Sequence, residues 1–239
     1  MKKKPFKRIL CVLIAAVMLG SVFASTAAAA TKCACGHSPV VMISGFGATV
    51  LAEKQEDGSL KRVFPPDTKE ILKLLGVNAP DLITGIIKLI AQKGTDGIEK
   101  PMREIITSIV EPLRMNDDGT SFYDIVPILS SAKDTSLEAF TKNGQLDLVP
   151  YTGSEFLDME VIGDEIGDDH VFNFLYDWRL SHADVAAQLH DYLAEVCALT
   201  GHDKVSVYSI SQGCLLLGVY MYEYPNDNYI DLSLIHISE

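Results

Sequence analysis

The sequence predicts an α/β fold, a doubly wound and mostly parallel sheet with helices on both faces, and three observations carry that prediction. Pro39-Val40-Val41-Met42-Ile43 is a continuous apolar run that ends in a loop of small residues, Ser44-Gly45-Phe46-Gly47-Ala48-Thr49. A run without polar alternation suits a strand buried on both faces of a parallel sheet. His170 to Tyr176 reads as an aromatic strand, followed by a helical pattern from His182 to Leu199 and a β-branched strand from Val205. That strand passes through one serine with small neighbours, Ser209-Ile210-Ser211-Gln212-Gly213, into an apolar segment of helical character. Strand, long insertion, strand, helix, strand, turn, helix is the order of a doubly wound sheet.

The chain has 239 residues, 48% of them apolar, enough for one sizeable domain, alone or with a cap, and too apolar for wholesale disorder. Its first thirty residues differ from the rest. Lys2, Lys3, Lys4, Lys7 and Arg8 form a basic cluster, Ile9 to Leu19 an apolar run, and Val22-Phe23-Ala24 or Ala28-Ala29-Ala30 a small-residue cleavage site. This is the pattern of a secretory signal peptide and predicts an exported protein. The apolar run is short for a spanning anchor, and Lys32 rather than a lipobox precedes Cys33.

The net charge is −12, and without the first thirty residues 15 basic residues face 32 acidic ones, a net charge of −17. So acidic a surface excludes nucleic acid as a partner and offers anionic membranes no attraction. Of five cysteines, Cys11 lies in the signal segment; Cys33, Cys35, Cys197 and Cys214 could form disulfides in an exported protein, with no pairing specified. Cys33-x-Cys35-Gly36-His37 invites a metal reading, but no matching second half follows it in the sequence. A tail with a local disulfide or free thiols is the simpler account, so no metal and no cofactor are expected.

From Leu51 to about Gly163 the pattern gives helices and loops with little clear strand. Asp67 to Leu75 reads as a short helix closed by Gly76, while Asp81 to Gln92 and Pro101 to Val110 carry isoleucines at helical spacing. These two faces suit packing against the core or each other, with a lipid-facing lid as the alternative. Asn116-Asp117-Asp118-Gly119 lacks the spaced carboxylates of a calcium loop and reads as a turn. Thr152 to Ile162 is a further helical candidate, and Ser181 is placed to cap the helix that begins at His182.

Ser211 is the candidate nucleophile. A serine on a sharp strand-to-helix turn projects its hydroxyl above the sheet, and the N–H of the next residue, Gln212, points at the same space. Ser209 stands where the usual Gly-x-Ser-x-Gly pattern has its first glycine, and with Gly213 it keeps both flanks small. The loop Gly45-Phe46-Gly47 offers a second oxyanion donor, from Phe46 or Gly47; taken alone, it also reads as an ordinary turn.

Tyr176-Asp177-Trp178-Arg179-Leu180-Ser181, shortly before a nucleophile serine and far downstream of Val40-Val41-Met42-Ile43-Ser44-Gly45-Phe46-Gly47, resembles the lecithin:cholesterol acyltransferase-like family of α/β-hydrolases. The resemblance spans Pro39 to Tyr224 and is carried by its two ends. Ser44, Ser209 and Ile210 depart from the family's usual proline, glycine and histidine. It implies an α/β-hydrolase-type sheet, here partial, with a helical cap insertion at about 51–150, within a domain spanning 39–231 that follows a tail at 31–38. It implies an ester or lipid substrate, an acyl-enzyme on Ser211, transfer to water or an alcohol, and peripheral contact with a lipid surface. Asp177 and Arg179 are placed to pair at the strand end with Trp178 as an apolar plate, ordering the loop or touching substrate.

Such a hydrolase needs an acid and then a histidine after the serine, yet 28 residues follow Ser211. Asp227, Asp231, His236, Glu223 and Glu239 lack the separation two further strands would need, and His202 lies at the opposite end of the strand. Triad acid and base are therefore not expected within this chain, which reads as the N-terminal part of a longer enzyme, inactive alone. Residues 232–239 read as a non-native tail resembling sequencing-adapter read-through, or else as the next core strand. Two competing readings stand beside the hydrolase: a non-catalytic lipid-binding or surface protein on the same fold, and a thioesterase or cutinase-like esterase suggested by Ser211-Gln212-Gly213.

Overall fold

The computed structural model describes residues 32–90, 96–148 and 154–236. The signal segment at 1–30, the ends of two expected helices at 91–92 and 152–153, and residues 237–239 lie outside the described residues. Among those described, no helix is long and apolar enough to cross a membrane.

Four parallel strands form the main sheet. β1 (Val40–Ile43) lies between β5 (Val171–Phe174) and β6 (Val205–Ile210), and β7 (Ile230–His236) pairs with the outer side of β6. The run at 232–236, read above as a non-native tail or a strand, is thus paired with β6. Alternation along the strands sends side chains to two different cores. Val41, Ile43, Phe172, Phe174, Val205 and Val207 face α5 (His182–Thr200) and α6 (Gln212–Glu223). Met42 and Val171 face the other way, toward α3 (Leu137–Asn143) and α4 (Ser154–Ile166) through Phe140 and Met159. β1 is covered on both faces, which is why it reads as an unbroken apolar run, whereas β6 buries Val205, Val207 and Ser209 and leaves Ser206, Tyr208 and Ile210 half-buried.

α5 follows the expected pattern. Val185, Leu189, Tyr192, Leu193 and Val196 are buried on one stripe, Ser181 accepts a hydrogen bond from the Ala183 N–H at 3.3 Å, and Gly201 ends the helix at φ 70°. The Asn116–Gly119 segment is a turn, with Gly119 at φ 82° and Asp118 accepting from the Thr120 N–H.

The insertion departs from the all-helical expectation. β2 (Leu51–Lys54), β3 (Leu60–Phe64) and β4 (Ile125–Pro127) form a separate antiparallel sheet in the order β3-β2-β4. Its hairpin turns at Asp57-Gly58, where Gly58 takes φ 82° and Asp57 accepts from the Ser59 N–H. The helices differ as well. α1 runs unbroken from Thr68 to Ile90 through Gly76 and Pro80, and α2 (Asp96–Val110) has Pro101 inside it. A proline inside a helix removes a ladder bond and costs about 3 kcal/mol in isolation. Here α1 packs along α2 as a hairpin, and the buried Asn78 donates from Nδ2 to the Leu74 carbonyl at 2.8 Å, one turn before the proline. Tertiary pairing has overridden the local breakers.

Candidate active site

β1, β5 and β6 are adjacent and parallel, so the loops that follow them gather at one edge of the sheet, where ligands of open α/β sheets bind. Ser211 follows β6 and begins α6. Its backbone has φ 52° and ψ −119°, and it is the one residue other than glycine with positive φ among the described residues. These are the angles of the first central position of a type II′ turn, where glycine is the ordinary occupant. A side chain held there costs about 1–3 kcal/mol. Ser211→Gly is therefore expected to raise the unfolding free energy by about 1–3 kcal/mol in chemical denaturation while removing the hydroxyl.

The neighbours of Ser211 are small because there is no room for more. Ser209 is fully buried, its hydroxyl 3.6 Å from Cys214 Sγ. A Cβ on Gly213 would fall 2.2 Å from the Ile43 carbonyl oxygen. A Cβ on Gly45 would fall 3.0 Å from Ser211 Cβ and 3.4 Å from Ser211 Oγ, so the Gly45 loop and the serine turn are in direct contact. The loop is pinned from below. Tyr176, buried, donates from its hydroxyl to the Ser44 carbonyl at 2.8 Å, and its N–H donates to Thr49 Oγ1 at 3.2 Å. Gly47 turns the loop at φ 72°, and Ala48 N–H closes it onto the Gly45 carbonyl at 3.4 Å. The N–H groups of Phe46, Gly47 and Gln212 find no hydrogen-bond acceptor among the described residues, and the positive end of the α6 dipole adds to the field at Ser211.

The Asp177-Trp178-Arg179 segment supports this edge. Arg179 donates to Asp177 from Nε at 2.9 Å and from Nη2 at 2.6 Å, and both side chains are almost fully buried. Nη2 also reaches Ser121 Oγ at 2.9 Å, tying the loop after β5 to the insertion. Trp178 stands edge-to-face with the exposed Phe46, ring centroids 4.4 Å apart, and with Phe64 at 5.1 Å. Gln212 donates from Nε2 to the Trp178 carbonyl at 2.9 Å, locking the start of α6 to the same loop. Gly45, Phe46, Gly47, Asp177, Trp178, Arg179, Gln212 and Gly213 are thus linked around Ser211. Sequence alone does not single out Tyr176, Ser121 and Phe64 as supports; Tyr176 lies inside the Tyr-Asp-Trp-Arg segment, whereas nothing local marks the other two.

No hydrogen bond joins Ser211 Oγ to any described residue, so no histidine or carboxylate serves it among them. An Asp–His pair does exist elsewhere. His190 Nδ1 lies 2.8 Å from Asp227 Oδ2, and the Tyr220 hydroxyl donates to the same oxygen. Asp227 lies beyond the far end of α6, a 12-residue helix about 18 Å long that starts at Ser211, so this pair belongs to the opposite edge of the sheet. Burial works against the Asp227 carboxylate, but the bonds from Tyr220 and His190 outweigh it and hold its pKa below the usual carboxylate range. A depressed folded-state pKa stabilises above the unfolded value of about 3.9 and loses that contribution as pH falls through the folded value. Asp227→Asn is expected to cost about 1–2 kcal/mol at neutral pH. The gap from the parent should close below about pH 4, as denaturation across a pH series would show.

A cavity of about 340 Å³ lies on the face of the main sheet between α4 and β7, lined by Val40, Asp158, Ile162, Tyr208, Leu232 and Leu234. Ser211 is not among its lining residues. No family model matches the chain, and no curated protein and no solved structure matches it.

Proposed function

We propose that Ser211 is the nucleophile of an exported serine hydrolase or acyltransferase of the lecithin:cholesterol acyltransferase-like type, acting on lipid or other esters. The observation that carries the proposal is the backbone of Ser211, φ 52° and ψ −119°, at a strand-to-helix turn. A strained non-glycine residue persists only where its surroundings over-determine it, and such positions cluster at functional sites. The hydroxyl oxygen would attack an ester carbonyl, and the N–H of Gln212 with that of Phe46 or Gly47 would receive the oxyanion. Collapse of that intermediate expels the alcohol and leaves an acyl group on Ser211, which passes to water or to a second alcohol. Each oxyanion donor of this kind contributes about 10²–10³ in turnover.

Lipid as substrate is supported by the insertion. α1 and α2 expose Leu72, Leu75, Val77, Ile83, Ile86, Ile87, Met102 and Ile106, a broad apolar surface suited to peripheral contact with a lipid interface. The general base has to come from outside the described residues. In a chain lacking it, added imidazole can take the proton from the hydroxyl.

The test is hydrolysis of short and long acyl esters by the purified chain in the presence of imidazole. A rate above buffer that falls to background in Ser211→Ala is expected. Equal rates in both proteins would favour the second reading, a non-catalytic lipid-binding protein in which Ser211 only makes the turn. That reading draws on the absence of a base bonded to Ser211 Oγ among the described residues.

A further inference from the structure

We propose that Cys33, Cys35, His170 and His202 form a zinc site that fastens the segment before β1 to the amino-terminal ends of β5 and β6. The four donor atoms come from three places in the sequence and lie within 4.8 Å of one another. His170 Nε2 is 3.9 Å from Cys33 Sγ and 3.8 Å from Cys35 Sγ, and His202 Nε2 is 3.3 Å from Cys35 Sγ. A tetrahedron with Zn–S of about 2.3 Å and Zn–N of about 2.0–2.1 Å has donor–donor edges of about 3.3–3.8 Å. Three of the six separations, 3.3, 3.8 and 3.9 Å, are close to those edges, and all six fall within 4.8 Å, so a small contraction would close the set around one ion.

Two imidazoles converge on one sulfur. Cys35 donates its S–H to the His37 carbonyl at 3.4 Å, so it presents sulfur lone pairs to the Nε2 atoms of both His170 and His202. His170 also carries the support typical of a metal-binding imidazole. Its Nδ1 is 2.8 Å from Asp169 Oδ1, which fixes the proton on Nδ1 and leaves the Nε2 lone pair directed at the sulfurs. The backbone is built to the same end. Cys33 N–H donates to the Gly201 carbonyl at 3.0 Å, beside His202, and Cys35 N–H donates to Cys33 Sγ at 3.4 Å. Gly167, at φ 96°, leaves room for Asp169, whose Oδ1 would lie 2.8 Å from a Cβ placed there.

The donor set selects the metal and its role. Two thiolates and two imidazoles suit Zn²⁺, and four protein ligands close the tetrahedron, which marks a structural rather than a catalytic site. Binding forms two Zn–S and two Zn–N bonds and releases two thiol protons to solvent, the two thiolates balancing the ion's charge. His170 directly precedes β5 and His202 lies three residues before β6, while Ser211 follows β6. The ion would therefore hold the edge of the sheet opposite the serine.

The test uses the full chain, purified with its thiols reduced and supplied with zinc or cobalt(II). The expected results are one zinc per chain, a tetrahedral cobalt(II) spectrum with a thiolate charge-transfer band, and a fall in Tm on chelation. His170→Gln and His202→Gln should lose the cobalt spectrum. Asp169→Asn, which keeps all four ligands, should bind zinc about 10–100-fold more weakly with an unchanged circular dichroism spectrum. Should the ligand variants fail to fold, the cobalt spectrum of the parent chain and the Asp169→Asn affinity decide the matter. A chain that takes up no zinc, an octahedral cobalt spectrum without the thiolate band, full zinc retention in both histidine variants, or zinc affinity unchanged in Asp169→Asn would overturn the proposal.

Discussion

Gly213→Ala is expected to lower the unfolding free energy by about 3 kcal/mol or more. The added Cβ would lie 2.2 Å from the Ile43 carbonyl oxygen and 2.9 Å from its carbon. Both clashing atoms are backbone of the central strand β1, so relief requires α6 to lift from the sheet or β1 to shift within it. Either movement opens the packing of Leu216 and Leu217, which are fully buried in the same core as Val41 and Ile43. Gly218, on the same helix, is the matched control. Nothing lies within 4 Å of a Cβ placed there, and Gly218→Ala is expected to stabilise by about 0.5–1 kcal/mol through helix propensity. Urea denaturation of the two variants should move in opposite directions from the parent. Similar effects would show that α6 does not lie against β1 at Gly213.

Asp177→Ala is expected to cost about 3–5 kcal/mol, because it strands a buried guanidinium. The side chains of Asp177 and Arg179 are 3% and 4% exposed, and Asp177 also accepts from the Arg179 N–H at 3.0 Å. Removing both charges is a different matter. An Asp177→Leu/Arg179→Met double variant should recover most of the loss, since a buried pair replaced by apolar groups of similar volume is often nearly neutral. Thermal and denaturant unfolding of the single and double variants would measure the coupling. Additive losses would mean that the two side chains act on stability independently. If the double variant folds but loses the Ser211-dependent chemistry, the pair matters for holding Trp178 and Gln212 at the sheet edge rather than for stability alone.

The elements that could be read directly are those whose burial is uniform. β1 and β5 are buried on both faces and are apolar but for Asn173, β6 alternates with Val205 and Val207 buried and Ser206 and Tyr208 half-buried, and α5 carries a clear stripe between Ser181 and Gly201. The Ser211 turn was legible for a steric reason: only small residues fit at 209 and 213. The insertion was harder. Leu60-Lys61-Arg62-Val63-Phe64 carries two charged residues in five because β3 is an edge strand with an exposed side, and β4 is three residues long and ends in Pro127. Asp57-Gly58 was the signal that could have found the hairpin. α1 passes through Gly76 and Pro80 because its pairing with α2 outweighs local preference, a balance that no short window contains. The Cys33–Cys35–His170–His202 cluster illustrates the same point for a site. Cys33-x-Cys35 lacks a nearby second half, and its partners arrive from 135 and 167 residues away, brought together by three neighbouring parallel strands.

Covalent labelling reads most directly whether Ser211 is a mounted nucleophile or only a turn residue. The full chain would be treated with a fluorophosphonate in the presence of imidazole, digested, and analysed by peptide mass spectrometry. The predicted result is phosphonylation of Ser211, lost in Ser211→Ala and preserved in Cys35→Ser. Labelling spread over other serines, or none at Ser211 in a folded chain, would contradict it.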